Sequence, residues 1–274
     1  MSGRFGGVRL AVVVGVVGLL GGCAQAGEVA SPGVPPDVEP VQMQFRAVLE
    51  TAPPDSSDGE AGQEESGQSE DVELEAVWDA VGTEAAELAQ SLEAPVNPED
   101  EETAEILAPF GELTPSEVAV LPAKVQFYVP SIGCGQLDAR AEDDLDPDAE
   151  ATACQSYEGP ESAGDAQTAY VKNYLGPAEL DASDVARADT AESQFSPDEH
   201  VVKIDFTDAG ADKWKELASA NLGEQVAIVA GVHVVFAPEL LPGAESSQEV
   251  EITNSFTAEE AELLAAQINA AAGQ

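Results

Sequence analysis

The chain has 274 residues, of which 53 are acidic and 10 basic, for a formal charge of -43 at pH 7. Every long-range charge interaction therefore opposes attraction to nucleic acid or anionic headgroups, which excludes a nucleic-acid binder and favours basic partners or a solvated, self-repelling tether. Plain solubility or a saline habitat explains the acid equally well. Only 5% of residues are aromatic and 18 are proline, so part of the chain builds no core, and the length admits one or two domains.

At the N-terminus, Arg4 and Arg9 precede the apolar run Leu10 to Leu20, and Leu20, Gly21, Gly22 and Cys23 resemble a lipoprotein processing box. The run is far shorter than the about 20 residues that span a bilayer. A signal peptide over residues 1–22 is expected, cleaved before Cys23 and followed by a tether over 23–40; an uncleaved transmembrane anchor is the alternative. Cleavage removes two arginines and no acid, which takes the charge from -43 to -45. Two or more acyl chains, at about 0.8 kcal/mol per buried methylene, hold a protein stably on a membrane. Cys23 is thus expected to carry lipid, with the protein anchored at the extracytoplasmic face of the cell membrane.

Residues 41–50 read as a base strand, centred on Met43 to Leu49 and paired with the chain near Lys124 to Val129 and Asn173 to Leu180. The next segment, 51–71, is rich in Pro, Ser, Gly, Glu and Asp and reads as a disordered acidic insertion. Such an excursion between sheet partners is tolerable because loop closure grows only with the logarithm of length. Residues 72–119 read as helical: Val77, Trp78, Val81, Ala85, Leu88, Ala89 and Leu92 trace one apolar stripe ended by Pro95, and a second short helix is expected from Asp100 to Phe110. No Lys, Arg or His occurs between Arg46 and Lys124. Helices this short persist only when packed, which favours docking onto the C-terminal sheet over a partner-binding helix.

After Cys23, Cys134 and Cys154 remain, and an even pair in an exported chain reads as a disulfide worth about 3 kcal/mol. Two cysteines and two distant histidines cannot complete a metal site, and no base stands near enough in sequence to suggest a nucleophile. Asp144, Asp146, Asp148 and Glu150 alternate as in a calcium loop, but Ala149 and Gln155 stand where an EF-hand requires Gly and Glu, so a solvated acidic loop is expected. His200 and His233 read as ordinary sheet residues. No phosphate loop, nucleophile elbow or paired carboxylate appears, so neither an enzyme nor a cofactor is expected.

The last segments are the most regular. Val202, Ile204 and Phe206 alternate with Lys203 and Asp205 as in a half-buried strand. Trp214, Leu217, Ala218 and Leu222 recur at helical spacing before Gly223. Val226 to Val229 and Val232 to Phe236 flank Ala230 and Gly231 as a hairpin. Val250 and Ile252 mark another strand, Thr257 and Glu260 are spaced as a capping box, and Ala261, Leu264, Ala265, Ile268 and Ala272 trace a final helix on the same sheet.

The wording VKIDFTDAGADKW, QVAIVAGVHVVFAP and EITNSFTAEEAELLA, with NYLGPAEL (173–180) and QFRAVLE (44–50) upstream, resembles the SecD family, in the periplasmic P1 domain of the SecDF protein-export membrane protein and its head subdomain. The resemblance covers most of the chain after residue 40 and is densest in the last hundred residues. Ala230-Gly231 stands where the family turns its hairpin with Asp-Gly, and Ile252-Thr253-Asn254 where it reads Ile-Thr-Gly. A cysteine pair like Cys134 and Cys154 is found in actinobacterial members. The resemblance implies an α+β fold, a mostly antiparallel sheet with helices on one face, over residues 120–274 with the head at about 181–274. The sequence ends at Gln274, where SecD continues into membrane helices, so a domain without that proton-driven motor is expected. Together with the lipid anchor expected at Cys23, it implies a lipid-anchored, non-enzymatic accessory or substrate-contacting factor in protein export or post-export folding. Sec translocon subunits or unfolded exported polypeptides are the implied partners, met at the sheet edge and an apolar groove beside the hairpin, through Val232, Val234 and Phe236. The alternative is a diverged structural or ligand-binding surface lipoprotein with no export role.

Overall fold

The structure is a computed structural model and describes residues 38–52, 72–96, 100–158, 168–194, 196, 199–247 and 249–274. The expected signal peptide, Cys23, most of the tether and the acidic insertion from residue 53 lie outside the described residues. Among those described, no helix is long and apolar enough to cross a membrane.

Strand β1 (Met43–Thr51) forms where a base strand is expected and runs one residue into the segment read as insertion. Short helices follow: α1 (Leu74–Val81), α2 (Thr83–Ser91), α3 (Glu101–Leu107), α4 (Pro115–Ala119), α5 (Ala123–Tyr128) and α6 (Cys134–Asp138). The stripe read as one helix is two. Gly82 takes φ 89° and ψ 153°, a region almost closed to other residues, and the chain turns there. Val77, Val81, Ala85 and Ala89 still face one core, with Trp78, Leu88 and Leu92 at its rim.

Lys124 to Val129, expected as a base strand, lies almost wholly in helix α5. A short apolar run reads equally well as a strand or a buried helix. Here Pro122 starts the helix by accepting from the Val125 and Gln126 amides. Lys172 then caps its C-terminal end by donating to the carbonyls of Gln126, Val129 and Ile132. The helices share a core with Cys134 and Cys154. Docking is therefore observed, through α5 and α6, onto β2 (Ala151–Glu158) and β3 (Thr168–Asp181) rather than onto the C-terminal sheet.

The remaining elements are β4 (Val185–Glu192), β5 (His200–Phe206), α7 (Asp208–Ala220), β6 (Val226–Ala230), β7 (His233–Phe236), β8 (Glu249–Phe256) and α8 (Ala258–Ala271). The α+β class holds, but the strands form two sheets: a closed barrel in the order β1-β3-β2-β7-β6 and a three-stranded sheet β4-β5-β8. β1 pairs antiparallel with β3, from Gln44 opposite Asp181 to Thr51 opposite Asn173, as expected for 173–180. The hairpin β6-β7, read with β5 and β8 as one sheet, instead joins the barrel, with Met43 opposite Ala230 and Phe45 opposite Ile228. The reason lies in β6: Val226, Ile228 and Ala230 enter one core, while Ala227 and Val229 enter the other. A strand buried on both faces has no polar side to reveal its sheet.

α7 buries Trp214, Leu217 and Ala218, whereas Leu222, expected in the same stripe, lies past the helix end and is 42% exposed. The capping box of Thr257 and Glu260 starts α8, which buries Ala261, Leu264, Ala265 and Ile268. A 3-10 turn, Ala182–Asp184, carries the chain from barrel to three-stranded sheet. Its buried Asp184 accepts from Lys213 Nζ at 2.8 Å, and the Thr207 amide donates to its carbonyl. Phe45 of the barrel, Phe206 of β5 and Trp214 of α7 complete the junction, with Phe206 5.4 Å from Phe45 and 5.5 Å from Trp214 between ring centres. Barrel and three-stranded layer thus share one core.

Candidate functional site

The barrel closes through a narrow joint. β2 and β7 run parallel and meet in a single register pair, Cys154 opposite His233, whereas β2 and β3 pair over eight positions. A cleft of about 320 Å³ opens at this joint beside the hairpin. Val41, Val234, Val235 and Leu264 supply apolar wall, and Asp138, Glu142, Ser156, His233, Asn254 and Gln267 supply polar wall. The groove is therefore mixed rather than apolar.

The three residues expected to contact a polypeptide do not form an exposed patch. Val232 and Val234 are 1% and 3% exposed and fill the barrel core, and Phe236 is half-buried against the core shared with α7 and α8. Alternation places Val232 and Val234 on one face correctly, but that face points inward because the strand belongs to a barrel.

His233, expected as an ordinary sheet residue, has a partner. Its half-exposed ring brings Nδ1 to 3.3 Å from Asp138 Oδ1, at the end of α6. That oxygen is buried and accepts no well-formed hydrogen bond, so a protonated His233 in direct contact compensates it by charge, beside the longer-range pull of Arg140. The Asp138 carboxylate accordingly holds the His233 pKa above its ordinary value, against the desolvation that lowers it. Cys134, at the other end of α6, is bonded to Cys154 with a Cα separation of 5.7 Å, and both are buried. His200, by contrast, is a half-buried residue of β5 opposite Phe256.

Two arginines that sequence reading passed over are buried without a carboxylate contact. Arg46 donates to Gln44 Oε1 and to the carbonyls of Asp146, Ala149 and Gly176. Arg140 donates to Gln126 Oε1 and to the carbonyls of Leu137 and Thr152. Burial pushes both guanidinium groups down to about 10, with Asp146 opposing that for Arg46 and Asp144 and Asp138 for Arg140. In the acidic loop the carboxylates turn to local donors: Asp144 to the Ala141 amide, Asp146 to the Asp148 amide and Glu150 to the Tyr174 hydroxyl. The loop is thus a lid whose carbonyls hold Arg46. The only sequence signal for Arg46 is its alternation with Met43 and Phe45, which ordinarily marks a solvent-facing residue.

On the three-stranded sheet, the face away from the core carries two rows of alternating charge. Lys203 lies between Asp189 and Glu251, and Asp205 between Arg187 and Glu249. Arg187 meets Asp189 at 2.7 Å and Asp205 at 2.9 Å, while Lys203 meets Glu249 at 3.3 Å and Glu251 at 3.6 Å. The outer edge of β4 is sealed at Ala188, whose amide and carbonyl both bond the Asn269 side chain of α8 at 2.8 Å. β8 is the other outer strand of this sheet, and it bulges where Val201 pairs with Thr253 but His200 with Phe256. The Asn254 of the Ile-Thr-Asn stretch lies in that bulge.

A small, disulfide-bearing barrel joined to a three-stranded, two-helix layer makes an α+β protein, and fold alone does not fix function. Residues 158–272 match the family described as SecDF, P1 head subdomain, so this stretch is similar to the P1 domain of SecD. Solved structures of SecDF are similar. A membrane component SecDF that enhances protein export is 32% identical over 34% of this chain and 41% of its own, with a TM-score of 0.32. SecDF in a super-membrane-facing form is 18% identical over 83% of this chain and 18% of its own, with a TM-score of 0.35. SecDF from Thermus thermophilus, a translocon-associated membrane protein, is 17% identical over 86% of this chain and 30% of its own, with a TM-score of 0.30. The chain therefore spans less than half the length of each of them. No curated protein matches it.

Proposed function

We propose that the protein is a lipid-anchored, extracytoplasmic accessory factor that contacts polypeptides during export or post-export folding and performs no catalysis. The observation that carries this reading is the match of residues 158–272 to the P1 head subdomain. Cys23 supplies the anchor, and Sec translocon subunits or unfolded exported polypeptides are the partners. With Val232 and Val234 turned inward, the contact surface moves to the cleft beside the hairpin and to β8, since an extended chain adds to an outer strand.

A second reading, a diverged structural or ligand-binding surface lipoprotein, is favoured by the charged outer face of the three-stranded sheet and by the Asn269 seal on β4. Neither feature suits a non-selective polypeptide clamp. Purification from detergent-solubilised membranes separates the two. Under the first reading, translocon subunits or unfolded exported chains accompany the protein, and Cys23→Ala moves it to the soluble fraction or leaves the precursor unprocessed. Membrane-bound protein that brings neither partner supports the second, and unchanged retention and processing of Cys23→Ala removes the lipid anchor.

A further inference from the structure

The seam between β2 and β7 is held from outside the sheet by one short element. α6 begins at Cys134 and ends at Asp138; the first is bonded to Cys154 and the second meets His233. Cys154 and His233 are also the single register pair of the seam. The two residues that join the strands are thus the two that α6 grips.

We propose that α6 is a two-point clasp, fastened covalently at β2 and by a protonation-dependent contact at β7, and that protonation of His233 sets how readily the seam opens beside the cleft.

The chemistry around the ring supports this. Asp138 Oδ1 is buried and accepts no well-formed hydrogen bond, and among the described residues the one cation besides the imidazolium that its charge is seen to act on is Arg140. Arg140 also acts on His233, but its guanidinium is committed to Leu137, Gln126 and Thr152 and lowers the His233 pKa. Glu142, which also lines the cleft, raises it. Among the described residues, those that line the cleft from β2, β8 and α8 are uncharged, Ser156, Asn254 and Gln267 among them. Because the Arg140 guanidinium bonds other partners, the direct contact of Asp138 that can change with pH is the one to the imidazolium. Because the folded pKa lies above the unfolded value of about 6.5, the contact is at full strength below about pH 6.5 and is lost as pH rises through the folded pKa. In mild acid the seam has both fastenings, and above that transition only the disulfide. The clasp acts whether or not the cleft holds a polypeptide.

Amide hydrogen exchange on the full mature chain tests the proposal, with protection factors corrected for the intrinsic pH dependence of exchange and imidazole resonances followed in parallel. Protection of the β7 amides should fall about two- to fivefold between pH 5 and pH 8, the range of a half-exposed ion pair, with the midpoint of the His233 ring and above 6.5. The β5 amides, on the other sheet, should not share that transition. His233→Gln, which retains His200, should abolish the pH dependence at β7. A constant β7 protection while the ring titrates overturns the proposal, as does the same fall in His233→Gln. Should the variant not fold, the wild-type comparison decides alone, because β7 protection and imidazole must share a midpoint.

Discussion

At the scale of single residues, the buried guanidinium of Arg46 illustrates how far the chemistry of a side chain depends on its sheet. Its bonds join β1 to the lid loop through Asp146 and Ala149 and to β3 through Gly176. Removing it takes the donor from Gln44 Oε1 and the Gly176 carbonyl in a buried site and from the Ala149 carbonyl in a part-buried one, while the Asp146 carbonyl keeps the Ala149 amide; each unsatisfied buried group costs about 1–3 kcal/mol. Arg46→Ala should therefore lower the unfolding free energy by about 3–5 kcal/mol, measured by urea denaturation. Arg46→Lys should recover only part of it, since an ammonium lacks the planar fork that reaches several carbonyls. A loss under about 1 kcal/mol in Arg46→Ala would mean that the lid is not held by this residue. The residues legible in sequence were those whose partners are local or chemically unique, such as Thr257 with Glu260, or Cys134 with Cys154. Arg46 with its loop and His233 with Asp138 were not, because nothing in either neighbourhood names a partner a hundred positions or so away.

At the scale of elements, periodicity located β5, α7, β6, β7, β8 and α8 but not β2 or β4, and it put on one sheet strands that belong to two. β5, with Lys203 and Asp205 between buried neighbours, shows which side meets solvent; β6 shows none, and so its place in the barrel was hidden. The split of the first helical stripe at Gly82 and the helical state of α5 were missed for a related reason. Both depend on one backbone position, a positive φ or a proline N-cap, rather than on an apolar pattern. The fit of α7 on the junction depends on another. Gly210 sits so close to the Ala182–Asp184 turn that a Cβ would lie 2.1 Å from the Asp184 carbonyl oxygen, a backbone atom that cannot swing away. Gly210→Ala should force α7 off this turn and destabilise the protein by about 1–3 kcal/mol or more, as overpacking does. It should also loosen the Lys213 to Asp184 contact, visible as a shift of the Lys213 side-chain resonance. Unchanged stability would show that barrel and three-stranded layer tolerate relative displacement at their joint.

At the scale of the whole molecule, the fold must withstand the mutual repulsion of its own acidic groups. The formal charge is -43, and the helices α1 to α4 come from a stretch that supplies no cation of its own. Two of the ten basic residues, Arg46 and Arg140, are spent on carbonyls in the interior, and Arg4 and Arg9 precede the expected cleavage site. Exposed ion pairs such as those of Arg187 and Lys203 contribute little and weaken in salt. Self-repulsion acts over about 30 Å at 0.01 M salt but only about 10 Å at 0.1 M, so added salt removes more repulsion than attraction. The thermal midpoint at pH 7 should rise by about 2–8 °C between 10 mM and 500 mM sodium chloride, which corresponds to about 1–2 kcal/mol for a domain of this size. Scanning calorimetry over a salt series reads it directly, and a variant with Glu101, Glu102 and Glu105 changed to Gln should start higher and rise less. A midpoint that stays flat or falls with salt would show that the cross-strand ion pairs, not the net charge, govern the electrostatics of folding.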